Sequence, residues 1–165
     1  MKNLLVLLIS FVAMTSISLS QELSQDQKEI SALLDGLHDA AKNADKEKYL
    51  GSFAKGAVYM GTDEWERWPI KPDFTDYVGM RFDNGGWSYH SEDRNIYISP
   101  DGAFGWFDEI MISNSSGNRF RGSGVVVKED GGWKFKQYIQ SFMIYNEIWD
   151  DVINLMAEET KKKNN

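Results

Sequence analysis

Residues 103–142 decide the fold, and they read AFGWFDEIMISNSSGNRFRGSGVVVKEDGGWKFKQYIQSF. Aromatic and β-branched residues dominate this stretch, and two polar, glycine-containing segments, 114–118 and 129–132, interrupt it. Such residues favour strands, and such short interruptions are typical of hairpin turns. Together with an earlier run that ends at Pro100-Asp101-Gly102, the pattern predicts four strands, at 87–98, 103–113, 119–128 and 132–144. Because short turns make neighbouring strands antiparallel, we expect an antiparallel meander.

In the sequence before and after the predicted strands, apolar residues recur with helical spacing. Between residues 22 and 44, apolar residues recur every three or four positions and predict a long amphipathic helix. Shorter helices are expected at 45–54 and from about Asp73 to Phe82, and the apolar spacing at 148–156 predicts a carboxy-terminal helix. The expected class is therefore α+β, with amino-terminal helices packed on an antiparallel sheet.

The composition is that of one globular domain. The chain has 165 residues, of which 42% are hydrophobic, and this length suits a single domain with its own core. Lys and Arg number 18 against 25 Asp and Glu, and the net charge of −7 repels phosphate backbones, so we expect no nucleic-acid partner. The chain has no cysteine, which excludes disulfides and thiolate metal sites. We find no metal-ligand spacing and no nucleotide-binding glycine loop, so we expect neither a metal nor a cofactor.

The first twenty residues, MKNLLVLLISFVAMTSISLS, have the pattern of a signal peptide. Lys2 precedes an apolar stretch at 4–13 that is too short to span a membrane, and small residues follow it. We expect cleavage near Ser20 and an exported protein, periplasmic or secreted, that is not held in the membrane after cleavage. The predicted organisation is a signal peptide at 1–20, one domain at 21–146, and a carboxy-terminal helix with a polar tail at 147–165.

Three sequence features occur in the order of a known family. A long amino-terminal helix is followed by GTDEWERW at 61–68, and then by SPDGAFGWFDE, RGSGVVV and GGWKFKQY on successive strands. Over roughly residues 25–146 they resemble a SnoaL-like domain of the nuclear-transport-factor-two-like superfamily, the cone-shaped fold shared with ketosteroid isomerases and polyketide cyclases. The resemblance implies a strongly curved sheet, a cone-shaped α+β barrel, whose concave face and helices enclose one pocket. It implies no single reaction, since such domains include isomerases, cyclases, dehydratases and binding proteins.

The strand at 103–113 carries two adjacent carboxylates, only one of which can face the interior. Side chains alternate along a strand, so Asp108 shares a face with Trp106 while Glu109 lies on the other face. We favour Asp108 as the interior group, because a carboxylate among aromatic rings is a competent general base near neutral pH. The alternative is a structural ion pair between Asp108 and Arg121 or Arg119 on the neighbouring strand.

The two histidines differ in their surroundings. His90 alternates with aromatic residues on a predicted strand and is the second catalytic candidate, whereas His38 on the long helix is interpreted as a packing residue. The ketosteroid isomerase pattern of aspartate and tyrosine is not recognisable residue by residue.

The GTDEWERW segment is predicted to form one wall of the pocket or, alternatively, to cap a turn and plug the cone. Its structural motif comprises Gly61, Thr62, Asp63, Glu66 and Arg67, with Arg121 on a later strand. The candidate pocket residues are Tyr59, Trp65, Trp68, Trp106, Asp108 and Tyr138. Strand parity places Tyr138 opposite the face of Phe135, so Tyr138 can line the pocket only if a bulge shifts the register.

Three functions are compatible with these features. The first is an exported domain that binds a small, mainly apolar molecule in an aromatic pocket. The second is an isomerase or cyclase without a cofactor, in which Asp108 or His90 transfers a proton. The third is an interaction module that forms a dimer through the convex sheet face and the Trp149 helix and binds no ligand. A homodimer is expected under all three.

Overall fold

A computed structural model describes residues 22–163 of the chain. Its helices are α1 (Gln25–Lys42), α2 (Lys46–Gly51), α3 (Thr75–Asp83) and α4 (Trp149–Lys163), with short helical segments at Ile70–Phe74 and Asn146–Ile148. Its strands are β1 (Phe53–Met60), β2 (Arg67–Pro69), β3 (Tyr89–Ile98), β4 (Phe104–Ser113), β5 (Arg119–Glu129) and β6 (Gly132–Phe142). No described helix is long and apolar enough to span a membrane. The predicted signal peptide lies outside the described residues and stays a prediction.

The six strands form one curved, open sheet in the order β2-β1-β6-β5-β4-β3. The meander from β3 to β6 is antiparallel, as the hairpin turns predict. The α+β class is therefore confirmed, but the sheet is mixed and is not a closed barrel, because β1 runs parallel to β6. Hairpin turns determine only the pairing of consecutive strands, and four other strands lie between β1 and β6 in the sequence.

Helix α1 covers the concave face of the sheet. Ser24 and Gln27 form a capping box that satisfies the first backbone N–H groups of the helix. Ile30, Leu34 and Leu37 are buried, and they belong to one core cluster with sheet residues such as Phe107. This packing identifies the face of β4 that carries Phe107 as the interior face.

A β-bulge on β6 sets the direction of Tyr138. Val125 pairs with Gln137, whereas the next residue, Val126, pairs with Phe135, so Lys136 is the extra residue. The bulge shifts the alternation by one position, and both Phe135 and Tyr138 are consequently buried. This is the register shift that an inward-facing Tyr138 requires.

Helix α4 has no buried residue. Its apolar side chains Trp149, Ile153 and Met156 are exposed, as are Tyr97, Phe104 and Trp106 on the sheet. The ring centroids of Tyr97 and Trp106 are 5.5 Å apart, and those of Phe104 and Trp106 are 6.1 Å apart. We call Tyr97, Phe104 and Trp106 the outer aromatic patch, since they lie on the face of the sheet that α1 leaves uncovered.

Candidate functional site

A small pocket of about 100 Å³ lies at the open end of the cone, and we call it the mouth pocket. The ends of β1, β2, β3 and β6, together with α3, form its walls. Half of its lining residues are aromatic, and the polar groups come from the tyrosine hydroxyls and from one threonine, one glutamate, one arginine and one glutamine. The lining residues are Tyr59, Gly61, Thr62, Glu66, Trp68, Tyr77, Arg81, Trp87, Tyr89 and Gln140.

A chain of three hydrogen-bonding side chains crosses this pocket. The Tyr59 hydroxyl donates to Gln140 Oε1 at 2.8 Å, and Gln140 Nε2 donates to the Tyr89 hydroxyl oxygen at 3.1 Å. Burial raises the pKa of Tyr59 far above its usual range, so this hydroxyl keeps its proton. Because Tyr89 accepts from Gln140, its own hydroxyl proton can be donated to a molecule in the pocket.

The loop at 61–66 closes one side of the mouth pocket. Glu66 Oε2 accepts the backbone N–H of Asp63 at 3.1 Å, and the Gly61 N–H donates to the Glu66 carbonyl at 2.8 Å. A Cβ atom on Gly61 would lie 2.1 Å from Glu66 Oε2, so a larger residue at 61 would require the Glu66 side chain to move. The loop thus holds Glu66 at the pocket rim, while Arg67 is exposed.

The two tryptophans of the GTDEWERW segment at 61–68 point in different directions. The ring of Trp68 stacks on Tyr77 with centroids 4.7 Å apart and lines the mouth pocket. Trp65, in contrast, is 62% exposed, and Lys163 of α4 lies over its ring at 5.4 Å. The expectation that Trp65 lines the pocket is therefore corrected, because the tight turn at 63–67 directs its side chain outward.

Glu109, not Asp108, is the carboxylate that faces the interior. The side chain of Glu109 has no exposed surface. Its Oε1 lies 2.8 Å from His38 Nε2 and accepts from the Tyr138 hydroxyl at 3.5 Å, while Oε2 accepts from Arg94 Nε at 3.0 Å and Nη2 at 2.9 Å. Arg94 also donates to Ser31 and Asp35 of α1 at 2.8 Å each. These contacts join β3, β4 and β6 to the first helix.

The charges around Glu109 favour its ionised form. Burial raises the pKa of Glu109, but the hydrogen bonds and positive charges of His38 and Arg94 outweigh burial and hold the pKa below its usual range. Tyr138, whose pKa burial raises strongly, keeps its proton and serves as a donor. Glu109 is therefore a buried anion with a donor at each oxygen.

The sequence analysis does not predict the buried cluster of Glu109, His38 and Arg94. The alternation along β4 separated Asp108 from Glu109, but it could not show which face the helices cover. His38 could be associated with Glu109 only after α1 was placed on the sheet. The available signal was the single polar residue, Glu109, between Phe107 and Met111 on one face of β4.

The interior roles expected for Asp108 and Trp106 are corrected. Both lie on the outer face, where Trp106 is 43% exposed and Asp108 accepts a hydrogen bond from Asn95 at 3.2 Å. The ion pair expected as the alternative is not formed within residues 22–163 either. The register places Ser123 opposite Asp108, so Arg121 is only a diagonal neighbour, and Arg119 pairs with Glu92.

His90 also lies outside the mouth pocket. It is exposed on β3, and its Nδ1 is 2.6 Å from Asn114 Oδ1. This contact ties the edge strand to the turn after β4. Within residues 22–163, no group of three or more histidine, aspartate or glutamate side chains is arranged to hold a metal ion.

A second, smaller cavity of about 10 Å³ lies deeper in the cone, and we call it the inner cavity. Tyr59, Trp87, Tyr89 and Gln140 line both cavities and separate them. His38, Met111 and Tyr138 lie on the inner side. A volume of this size is at the lower limit for holding one water molecule.

A larger hollow lies elsewhere, in an open groove of about 850 Å³ between α2 and β1. Leu50, Ala54 and Ile70 form much of its floor, and lysine side chains lie at its rim. Within the described residues, no side chain–side chain hydrogen bond joins two lining residues of this groove, in contrast to the mouth pocket. We therefore take the mouth pocket, with its fixed donors, as the candidate site.

Comparison with solved structures identifies the fold. A domain of unknown function with a cystatin-like fold from Nostoc punctiforme superposes with a TM-score of 0.64 at 15% identity, covering 87% of this chain and 94% of that chain. An NTF2-like protein of unknown function from Pseudomonas putida gives 0.62 at 13% identity, covering 73% and 88%. A proposed dehydratase of the NTF2-like family from Streptomyces avermitilis gives 0.59 at 13% identity, covering 72% and 96%.

Sequence comparison identifies the family. No curated protein matches the chain. The family model for the SnoaL-like domain, however, matches residues 30–145, which include the core of α1, the GTDEWERW loop and all six strands. Because this match spans well over half of the chain, the protein belongs to the SnoaL-like domain family.

Proposed function

We propose that this SnoaL-like protein is exported and binds a small cyclic molecule, mainly apolar but with one carbonyl oxygen, in the mouth pocket. The ring faces of Trp68, Trp87 and Tyr89 supply apolar walls, and flat ligands stack well against such faces. The volume of about 100 Å³ limits the enclosed part of the ligand to about the size of a single small ring.

The hydrogen-bond chain from Tyr59 through Gln140 to Tyr89 is the observation that carries this proposal. It fixes the direction of each donor, so the proton of Tyr89 is left for an acceptor on the ligand. A carbonyl oxygen is such an acceptor, and it needs no charge compensation in an aromatic pocket. Arg81, which lies 5.9 Å from the Trp87 ring, provides a cation at the rim for a more polar substituent.

Calorimetric titration with cyclopentanone tests the proposal, with cyclopentane as the matched probe that lacks the oxygen. We expect saturable binding of the ketone and weaker binding of the hydrocarbon. Tyr89→Phe should reduce ketone affinity about 2- to 10-fold, the usual effect of one hydrogen bond of about 0.5–1.5 kcal/mol. Trp68→Ala should reduce the affinity for both probes, whereas Trp106→Ala on the outer face should change neither.

Equal affinities of wild type and Tyr89→Phe for cyclopentanone would contradict the assigned donor. Absence of binding to the wild type would contradict the proposal as a whole.

An enzymatic role has support from the comparisons, since one of the similar structures is a proposed dehydratase. Neither residue expected from the sequence can fill the catalytic role, because Asp108 and His90 lie outside the mouth pocket. Catalysis therefore requires a different proton acceptor.

A further inference from the structure

We infer that the open groove between α2 and β1, which we call the α2–β1 groove, binds the carboxylate form of a straight-chain fatty acid. The groove has a volume of about 850 Å³ and shares no lining residue with the mouth pocket, so the inference goes beyond the proposed function and concerns a second site. Pockets that take small organic molecules commonly have volumes of about 300–1,000 Å³.

The floor of the α2–β1 groove is apolar and elongated. Leu50 of α2, Val58 of β1 and Ile70 of the helical segment after β2 line it. Its lining also continues along β1 from Phe53 to Val58, a stretch that spans about 17 Å at the usual rise of a strand. A long alkyl chain suits such a floor, because it gains contact along its whole length and needs no directed hydrogen bond.

Three lysines at the rim have no acidic partner. Lys46, Lys55 and Lys71 line the groove from three different elements, and all three are exposed. In the described part of the chain, the ammonium group of none of them forms an ion pair. Their charges are therefore available to a negatively charged ligand.

Two lysines of β6 add positive charge beside the same groove. Lys134 Nζ donates to the carbonyl oxygen of Gly51, and Lys136 Nζ donates to the carbonyl oxygen of Lys55 at 2.8 Å. Both acceptor residues line the groove. These hydrogen bonds neutralise no charge, because a backbone carbonyl is uncharged, so both ammonium groups contribute to the local positive potential.

The acidic residues of the lining, Glu47 and Glu129, do not cancel this charge. Both carboxylate oxygens of Glu129 accept the backbone N–H of Lys55, at 3.0 and 3.2 Å, and Glu47 is exposed in the first turn of α2. Five lysines thus stand against two glutamates at this groove, although acidic residues outnumber basic ones in the whole chain. The local field favours an anion that the net charge of −7 would otherwise repel.

A fatty-acid carboxylate combines the two properties that the groove offers to a ligand. Its chain covers the apolar floor, and its single negative charge lies at one end, where it can reach the lysines of the rim. An inorganic anion would use the lysines alone and leave the floor uncovered. A peptide would bring backbone polar groups that an apolar floor cannot pair.

Calorimetric titration with octanoate, decanoate and dodecanoate, below their micelle concentrations, tests the inference. We expect saturable binding in which each added methylene raises the affinity about 2- to 4-fold, because the chain is partly buried. Decyltrimethylammonium has the chain length of decanoate and the opposite charge, and it should bind at least about tenfold more weakly. Equal affinities for the two charged probes, or binding only above the micelle concentration, would overturn the inference.

Lysine variants test the role of the rim. Lys55→Gln combined with Lys71→Gln should reduce the affinity for decanoate about 3- to 10-fold, through loss of two partly screened charges. The matched control is Lys28→Gln combined with Lys42→Gln, which removes two exposed charges from α1 and should bind decanoate as the wild type does. Unchanged affinity in the first variant would overturn the role of these lysines in binding.

Gly51→Trp tests the location of the site. A Cβ atom on Gly51 meets no atom within 4 Å, so a large side chain can enter the groove from this position without displacing the core. We expect at least about a tenfold loss of decanoate affinity. Gly132→Trp, at an equally open glycine outside the groove, is the control and should bind as the wild type does. Decanoate binding that persists in folded Gly51→Trp would overturn the inference.

Discussion

Glu109 and Asp108 are adjacent carboxylates with opposite environments. Glu109 is sealed beneath α1 with three donor residues, whereas Asp108 is partly exposed and contacts only an asparagine side chain among the described residues. The difference follows from the alternation of side chains along a strand, which places one of them among the core residues and the other on the outer face.

Replacing Glu109 should strongly destabilise the fold. Glu109→Gln leaves Arg94 buried with less negative charge beside it, and breaking such a buried pair costs about 3–5 kcal/mol of the free energy of unfolding. Urea denaturation measures this free energy. Glu92→Gln, which removes the exposed pair with Arg119, is the matched control and should have a much smaller effect. Equal losses in the two variants would contradict the account of Glu109.

The same residue makes stability depend on pH. The pKa of Glu109 is lower in the folded than in the unfolded protein, so the unfolded state binds more protons as the pH falls below the ordinary value of 4.5. The stabilisation is fully present above that pH and is lost as the pH falls through the folded-state pKa. Glu109→Gln should therefore show a shallower loss of stability on acidification than wild type.

At the scale of elements, the bulge on β6 brings Tyr138 into the lining of the inner cavity. The extra residue Lys136 turns Tyr138 inward, beneath Glu109 and beside Met111. Gly122 and Gly124 on β5 leave room for this arrangement, since a Cβ on Gly122 would lie 2.7 Å from the Tyr138 hydroxyl. The sequence shows both glycines, but the partner that requires them lies on another strand.

Substitution of Gly124 should show how tightly β5 and β6 pack at the bulge. A Cβ there would lie 2.1 Å from the carbonyl oxygen of Gln137, so Gly124→Ala should lower the free energy of unfolding by about 1–3 kcal/mol through overpacking. Gly132→Ala, where a Cβ meets nothing within 4 Å, is the control in the neighbouring strand and should be nearly neutral. Thermal denaturation compares the two, and equal midpoints would contradict this packing.

The sequence predicts the elements better than it predicts their contacts. The helix of 22–44 and the meander from β3 to β6 follow from local periodicity and turn residues. The parallel pairing of β1 with β6, the outward direction of Trp106 and the association of His38 with Glu109 depend on tertiary packing, on which local periodicity carries no information. The inward direction of Tyr138 is only partly predictable. Strand alternation shows that Tyr138 can face inward only if β6 contains a bulge, but the sequence does not show that the bulge is present.

At the scale of the whole molecule, the exposed apolar surfaces within residues 22–163 include the outer aromatic patch and the apolar side of α4. Large exposed apolar patches commonly mark interaction sites, and the homodimer expected from the sequence would use these surfaces. Neither surface contributes a lining residue to the mouth pocket. Association and ligand binding can therefore be tested independently.

Sedimentation equilibrium should detect a homodimer of the mature protein. If the outer aromatic patch forms the contact, Trp106→Ser should weaken dimerisation at least about tenfold, as expected for a central aromatic residue of an interface. Trp65→Ser, at another exposed tryptophan outside the patch, is the control. A wild-type protein that stays monomeric at about 100 times the concentration used for the titrations would contradict the dimer.

The central claim is that the mouth pocket is the ligand site, and the indole N–H signals of the tryptophans test it directly in a two-dimensional nitrogen-15 NMR titration with cyclopentanone. Trp68 and Trp87 line the mouth pocket, while Trp65, Trp106, Trp133 and Trp149 lie elsewhere. The account predicts saturable shifts of the Trp68 and Trp87 signals and little change in the other four. Unchanged Trp68 and Trp87 signals, or shifts confined to Trp106 and Trp149, would contradict it.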